Sequence, residues 1–557
     1  MSQRERTPSE RSGRRTATLA AAVALATLLL LLLTEGPIGL TWDEPDYMVA
    51  ARSYWAWYGR LLRDPGGALE PETIDAHWTI NHEHPPVNKI GSGLVWWLAR
   101  ALLPESPRAD LTAHRLGNML LNSAATGLLA WLVAGAYGAW AGLAASACLL
   151  AMPRVFFHDH LASLDVAASS MIVGTLVLFW KTRQRSLWWV DALLGLVWGL
   201  AVGTKINAVF VWPTLLLWAL AFDRRPRMLA RLGVMGAVAV VVFFGAWPWL
   251  YHDTLARTLD YVRWITVDHW KIGQWYLGRF WMPPPWHFSF VLSAVVVPPA
   301  ILACVFAGSG RALARREERP LGGFLLLNAL APMLALAIGQ SMVYDNDRLF
   351  MPAMPFVAAL AGIGLHACAQ AVTTWLGDLG RRRAIRALTG GALAALVLLP
   401  SIVAAARLYP HLLSYYSGLV GGVSGATRRG FETTYWCETY NETLDTLNAS
   451  AQPGDVVWID PWSHNVMIYY QLSGRLRDDL RWTGPGEIAS LWDPEIVTVE
   501  REFYEADWVV FHHRQTFFGE QGLRHPLVRW MALREPEYEL RYGGVPLVSV
   551  YRKSVAY

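Results

Sequence analysis

TATLAAAVALATLLLLLLTEGPIGLTWDEPDY (residues 16–47) joins an uninterrupted apolar run to a cluster of carboxylates. The run from residue 16 to 33 is long for the core of a signal peptide, and TEGPIGL follows it where a small-residue cleavage site would stand. It therefore predicts an uncleaved first transmembrane helix, preceded by the basic tail MSQRERTPSERSGRR. Asp43 and Glu44, with Asp46 two residues on, then fall immediately outside the membrane. Adjacent carboxylates there are costly unless they are solvated or used.

The rest of the chain repeats the pattern. Of 557 residues, 54% are hydrophobic and 17% charged, against roughly 25% charged in ordinary soluble domains. Charges gather in short blocks between apolar runs. Further spans are expected near residues 116–134, 140–156, 166–179, 187–202, 208–220, 232–249, 288–307, 321–338, 350–368 and 388–406. Each approaches the ~20 residues that cross a hydrocarbon core. The pair 187–202 and 208–220 reads as either a tight hairpin or broken helices. VNKIGSGLVWWLARALL, starting at Val87, reads as a short helix lying at the interface. About eleven transmembrane helices result.

Loop charge sets the expected orientation. KTRQR (181–185), FDRRPR (222–227), RALARREER (311–319) and RRRAIR (381–386) alternate with TWDEPDY, HDHLASLD, the loop 250–287 and SMVYDNDR. The positive-inside rule then puts the N-terminus in the cytoplasm and every acid- and histidine-rich loop outside, as in a plasma-membrane protein. The net charge of +4 is spread over separate loops, which gives no basis for nucleic-acid binding. Cys148, Cys304 and Cys368 lie in apolar runs and Cys437 alone in the polar tail, so no disulfide or metal-type spacing is expected. The chain divides into a basic tail (1–15), a membrane domain (16–406) with outer loops 41–107 and 250–287, and an outer α/β domain (407–557). In that last part DVVWID (455–460) and DWVVFHH (507–513) read as strands, ETLDTLNASA as a helix, and YELRYGGVPLVSVYR as a hairpin turning at Gly543-Gly544.

Several outer residues carry chemistry. One carboxylate of TWDEPDY suits a base that deprotonates an acceptor hydroxyl; equally, the segment reads as an acidic helix start with proline in the first turn. In NHEHPPVNK, His82 and His84 flank Glu83, yet three consecutive residues turn poorly toward one metal ion. Substrate hydrogen bonding or loop packing suits both histidines better. Lys89 and Lys205 each fit either a phosphate or simple snorkelling. His158, Asp159, His160 and Asp165 cluster at a helix junction, where Asp165 is either functional or a helix cap. Arg348, beside Tyr344, either binds phosphate oxygens bidentately or pairs with Asp345 or Asp347.

In order, TWDEPDY, EHPPVNK, HLASLD, VGTKIN, YLGRFWMPPPW and DRLFMPAMP, followed by HLLSYYSGLVGGVSGATRRGFETTYW, resemble the GT-C glycosyltransferases of the protein O-mannosyltransferase and aminoarabinose-transferase type. The resemblance implies an inverting transfer from a polyprenyl-phosphate sugar, among membrane lipids, to a lipid, glycan or protein acceptor. It casts Asp43 as the base, with Glu44 and Asp165 shaping the reaction site. Lys89, Lys205 and Arg348 fall to the donor phosphate, and His82, His84, His160 and Tyr344 to substrate shaping. No metal is required, since fixed cations can stabilise the leaving phosphate, although a divalent cation is compatible. No loop between helices is long enough for the β-trefoil that protein O-mannosyltransferases often carry, which turns the expectation toward a non-protein acceptor. A transporter or flippase of a lipid-linked anion is the alternative; it would place ionisable groups near the midplane and show paired repeats.

Overall fold

The computed structural model describes residues 8–102, 106–185, 187–338, 343–484 and 486–553. Residues 1–7 of the basic tail, and Ser341 and Met342 of SMVYDNDR, lie outside them. Among the described residues, seven helices are long and apolar enough to cross a membrane: Gly13–Thr34, Arg108–Tyr137, Leu164–Thr182, Pro226–Gly245, Arg319–Ile338, Arg348–Trp375 and Arg383–Leu408. Phe288–Val296 and Pro299–Ala314 reach that length and hydropathy only together, and meet at a bend of 116°. Three shorter apolar helices, Ala139–Leu150, Trp188–Val202 and Ile206–Phe222, bring the apolar segments among the described residues to eleven. The protein is thus a multi-pass membrane protein.

Proline explains where the helices depart from the sequence reading. The expected span 140–156 is two helices, Ala139–Leu150 and Pro153–His158, because Pro153 cannot continue the first one. Pro298-Pro299 bends the span expected over 288–307. The pair 187–202 and 208–220 is two separate helices whose link, Gly203–Lys205 in sequence, opens into the one-turn 3₁₀ segment with which Ile206–Phe222 begins. Between spans, Glu44–Arg63 and Val87–Ala99 form two further helices.

Lipid tails offer no hydrophobic drive for helix association, so close backbone packing carries it. The bent span's second half and Met354–Trp375 meet through glycines. A Cβ on Gly308 would lie 1.8 Å from the Leu360 carbonyl oxygen, and one on Gly364 1.9 Å from that of Cys304. Arg348–Trp375 is the most buried span, and the bundle is built around it.

From Arg407 on, the chain forms a six-stranded sheet in the order Val499–Glu500, Arg481–Gly484, Val456–Asp460, Trp508–His512, Val545–Arg552, Tyr538–Tyr542. The first four strands are parallel and the last two antiparallel. Both strands, the helix Leu444–Ser450 and the hairpin read from the sequence are present. The strands Arg481–Gly484 and Val499–Glu500 were not expected; they are short and too polar to stand out. This sheet does not sit apart from the membrane domain. Leu40, Met48 and Leu111 share its apolar core with Val457, Met467 and Val510, and the Leu40 amide donates to the Tyr470 hydroxyl at 2.8 Å. The four cysteines are free.

Replacing Gly308 by valine should force the two central helices apart and cost more than the ~1–3 kcal/mol of ordinary overpacking. The expected result is a clear fall in the thermal midpoint of the purified protein. Gly310→Val, where a Cβ meets nothing within 4 Å, should leave that midpoint nearly unchanged.

Candidate active site

Pro45 at the first turn of Glu44–Arg63 fixes the chain direction just after the first span. The two adjacent carboxylates of TWDEPDY then point to different places. Glu44 is fully buried and faces Arg115 of the Arg108–Tyr137 span. It accepts from the guanidinium twice at 2.8 Å, from the Thr41 amide and hydroxyl at 3.0 Å each, and from the Ala162 amide at 2.9 Å. Burial opposes its ionisation, but Arg115 and these donors hold it below the usual carboxylate range. Glu44 is thereby a frame residue, clear of the reaction site assigned to it by resemblance.

Asp43 makes no helix-capping hydrogen bond. Its side chain, 22% exposed, reaches Nη2 of Arg348 at 2.6 Å and accepts from the Tyr47 hydroxyl at 3.1 Å. The same guanidinium donates through Nε to Asp165 at 2.8 Å and through Nη1 to Asp345 at 2.6 Å. Asp165 also pairs with Lys205. Ser163, not Asp165, occupies the cap position of that span. Asp345 and Asn346 take left-handed backbone angles, φ 57° and 54°, which turn the Asp345 carboxylate back onto Arg348. The indole of Trp436 covers the guanidinium at 4.5 Å. Four residues singled out in the sequence, Asp43, Asp165, Lys205 and Arg348, therefore interlock.

Burial raises the Asp43 pKa above the ordinary value; Arg348 pulls it down, while Asp345 and Asp165 add to the rise. A carboxylate paired with one arginine but made more basic by its surroundings is suited to accepting a proton. Asp46 is pushed up to about 7 by burial, with Asp43 and Glu83 adding to the effect.

Lys205 also lines a cavity of about 610 Å³. Its lining divides into charged and polar groups, Glu83, His84, His269, Lys271 and Tyr344 beside Lys205, and apolar side chains, Phe210, Val211, Pro332, Leu336 and Phe356 from three helices, which also contribute the polar Asn207, Thr214 and Asn328. A ligand with an anionic head and a long apolar tail matches this division. Burial, then the cations Lys205, Lys89 and Arg348, keep the His84 imidazole well below its usual pKa and hence neutral. Tyr344 stacks on His269 with ring centres 5.5 Å apart.

Besides Glu44, three predicted site residues stay outside both cluster and cavity. Lys89 is fully buried and spends its three donors on the Asn81 carbonyl (2.6 Å), the Asn81 side-chain oxygen (2.8 Å) and the His84 carbonyl (2.9 Å). It locks the EHPP loop rather than facing a phosphate. His82 contacts the Thr79 carbonyl at 2.6 Å and packs on Trp249. His160 uses both ring nitrogens, on the Phe156 carbonyl and the Thr34 hydroxyl, and ties the first span to the third. His82, Glu83 and His84 do not converge, and among the described residues no three His, Cys, Asp or Glu side chains group as a metal site. Residues that sequence reasoning missed include Arg115, His269, Lys271, Trp436, Glu432 and Arg514. Of these, Glu432 and Trp436 lie in the segment HLLSYYSGLVGGVSGATRRGFETTYW that helps carry the family resemblance.

Glu44→Ala should leave Arg115 buried with Glu35 as its one remaining carboxylate partner and cost about 3–5 kcal/mol, read as a large fall in thermal midpoint. The stabilisation from Glu44 exists above the ordinary carboxylate pKa of 4.5 and is lost as pH falls through its depressed folded value. The wild-type advantage over Glu44→Gln should therefore shrink on acidification. Asp43→Asn, whose parent carboxyl has a raised pKa, should shift the midpoint little at neutral pH.

The family model described as dolichyl-phosphate-mannose-protein mannosyltransferase matches residues 92–252. No curated protein matches the chain in sequence. The crystal structure of ArnT from Cupriavidus metallidurans in the apo state is similar at a TM-score of 0.51 and 16% identity, over 97% of this chain and 98% of that one. ArnT from the same organism bound to undecaprenyl phosphate is similar at a TM-score of 0.51 and 17% identity, over the same shares. This multi-pass chain with its C-terminal sheet domain therefore has the GT-C fold, the fold of the glycosyltransferases that its motifs resemble.

Proposed function

We propose that the protein is a membrane glycosyltransferase that moves a sugar from a polyprenyl-phosphate donor to an acceptor, with inversion at the sugar carbon. The observation that carries this reading is the junction at Lys205, which belongs at once to the carboxylate–arginine cluster and to the amphiphile-shaped cavity. The binding of undecaprenyl phosphate by ArnT, a protein of the same fold, supports the choice of donor.

In this reading the prenyl chain lies between the apolar helices and the phosphate rests at the Lys205 end. The acceptor approaches Asp43, which takes the proton from its hydroxyl or amine. The acceptor atom forms a bond to the anomeric carbon while the carbon–oxygen bond to phosphate breaks. The electron pair leaves with the phosphate, and polyprenyl phosphate is released. Lys205 stabilises the charge developing on that oxygen in a site screened from bulk water. Arg348 holds Asp43 in line and ionised, and Asp165 holds Lys205. Tyr344 and His84 shape the space between them. Lys89, spent on the EHPP loop, acts by fixing His84 rather than by binding donor. The basic blocks on alternate loops support an orientation with this cluster on the outer face of the plasma membrane. A transporter reading finds less support, because the cluster sits at helix ends and its charges are paired with one another.

Asp43→Asn should lower transfer by about 10²–10⁴-fold while the protein inserts and binds polyprenyl phosphate as before. The assay follows label from a polyprenyl-phosphate sugar into envelope acceptors, with mass spectrometry of glycolipids and glycoproteins from cells with and without the gene to identify them. Full transfer by Asp43→Asn would remove Asp43 as the base. An unchanged envelope after deletion, together with no transfer in vitro, would remove the enzyme reading altogether.

A further inference from the structure

Arg514 lies in the C-terminal domain, just past the strand Trp508–His512, yet its side chain is buried at the reaction cluster. Its Nη2 pairs with Oδ1 of Asp345, whose Oδ2 accepts from Arg348 at 2.6 Å and from the Trp436 indole at 3.2 Å. Asp345 is thus shared between an arginine of the membrane domain and one of the sheet domain. On its other side Arg514 faces Glu432 at 3.5 Å. Glu432 is fixed by the Thr516 amide at 2.9 Å and the Gln274 side chain at 2.8 Å. The Gln274 oxygen in turn accepts from the Asn346 amide at 3.0 Å, so the loop carrying Asp345 is gripped from two directions. The Arg514 guanidinium also covers Phe517, which stacks at 5.5 Å on Trp42, the neighbour of Asp43.

We infer that Arg514 is a positioning residue for the transfer site: by neutralising Asp345 it leaves Arg348 available to Asp43 and sets the basicity of that carboxylate from the C-terminal domain. The sheet domain is then part of the site rather than an appended module. The inference deepens the proposed function and rests on Asp43 as its base.

The electrostatics give signs that simple loss of packing would not. Asp43 meets Arg348 and Tyr47 in direct contact and feels Asp165, Asp345 and Lys205 through space. Asp46 on its own helix and Tyr344 across the cluster also face it, and His84 nearby is neutral. Burial opposes the Asp345 charge, but Arg514 first and Arg348 second keep its pKa depressed. Without Arg514, Asp345 draws harder on Arg348 and repels Asp43. Without Asp345, Arg348 turns more fully to Asp43, and Arg514, left with Glu432 alone, adds to the positive potential there.

The test uses the full-length protein in nanodiscs and needs no substrate. The Asp43 carboxyl is titrated by infrared difference spectroscopy, with the band assigned by its loss in Asp43→Asn. Arg514→Gln should raise the Asp43 midpoint by about one pH unit, and Asp345→Asn should lower it by a similar amount. The double variant should return close to wild type, and Arg514→Lys should stay near wild type. The acidic limb of the transfer rate should move with the midpoint. If Arg514→Gln does not fold alone, the comparison of Asp345→Asn with the double variant decides: the double variant should have the higher Asp43 midpoint, and equal midpoints would overturn the inference. Shifts of the same sign in both single variants, or no shift in either, would overturn the inference. Absence of transfer by the wild-type protein would instead fall on the proposed function, since the titration stands without it.

Discussion

One guanidinium, that of Arg348, holds three carboxylates that the chain brings from far apart: Asp43 after the first span, Asp165 at the start of another, and Asp345 from the loop before its own. Buried charge is tolerated only when it is paired and hydrogen-bonded. The two buried partners, Asp165 and Asp345, therefore pair with it as the bundle closes, while the partly exposed Asp43 stands at its edge. The central span begins at Arg348, the Pro45 turn aims Asp43, and the left-handed turn at Asp345 and Asn346 brings the third carboxylate round. Lys205 and Arg514 then supply the positive charge that a single arginine cannot.

This arrangement separates two tasks that adjacent residues share in sequence. Glu44 and Arg115 form a buried frame that docks the helix Glu44–Arg63 on the bundle. Asp43, one residue earlier, stays partly exposed. The same division applies to the lysines. Lys89 is consumed in holding a loop, whereas Lys205 stands where the charged cluster meets the apolar cavity. A phosphate-bearing amphiphile could thus meet a cation without first displacing structural contacts deep in the protein.

Much of the fold was legible because membrane helices announce themselves locally: a long apolar run suffices, and alternate loop charge orders the runs. Asp43, Asp165, Lys205 and Arg348 were legible because ionisable residues at span ends are conspicuous against an apolar background. Their pairing was not, since it depends on helix neighbours rather than spacing. Glu44 and Lys89 looked as reactive as Asp43 and Lys205 because burial and donor saturation leave no mark in sequence. Arg514 was invisible for another reason. It stands 169 residues from Asp345, in an ordinary strand-to-loop segment, and gains meaning only from the docking of the sheet domain. The bends at Pro153 and Pro298-Pro299 were written in the sequence but weigh less there than the apolar runs around them.

The central claim, that the cavity beside Lys205 receives the tail of a lipid phosphate, is tested most directly by photo-crosslinking the purified protein in nanodiscs with a diazirine-bearing polyprenyl phosphate. The account predicts adducts on cavity residues such as Phe210, Pro332 and Phe356, lost when unlabelled polyprenyl phosphate is added. Adducts confined to the outward face of Arg383–Leu408, around the exposed Leu388 and Leu396, and indifferent to competitor, would contradict it.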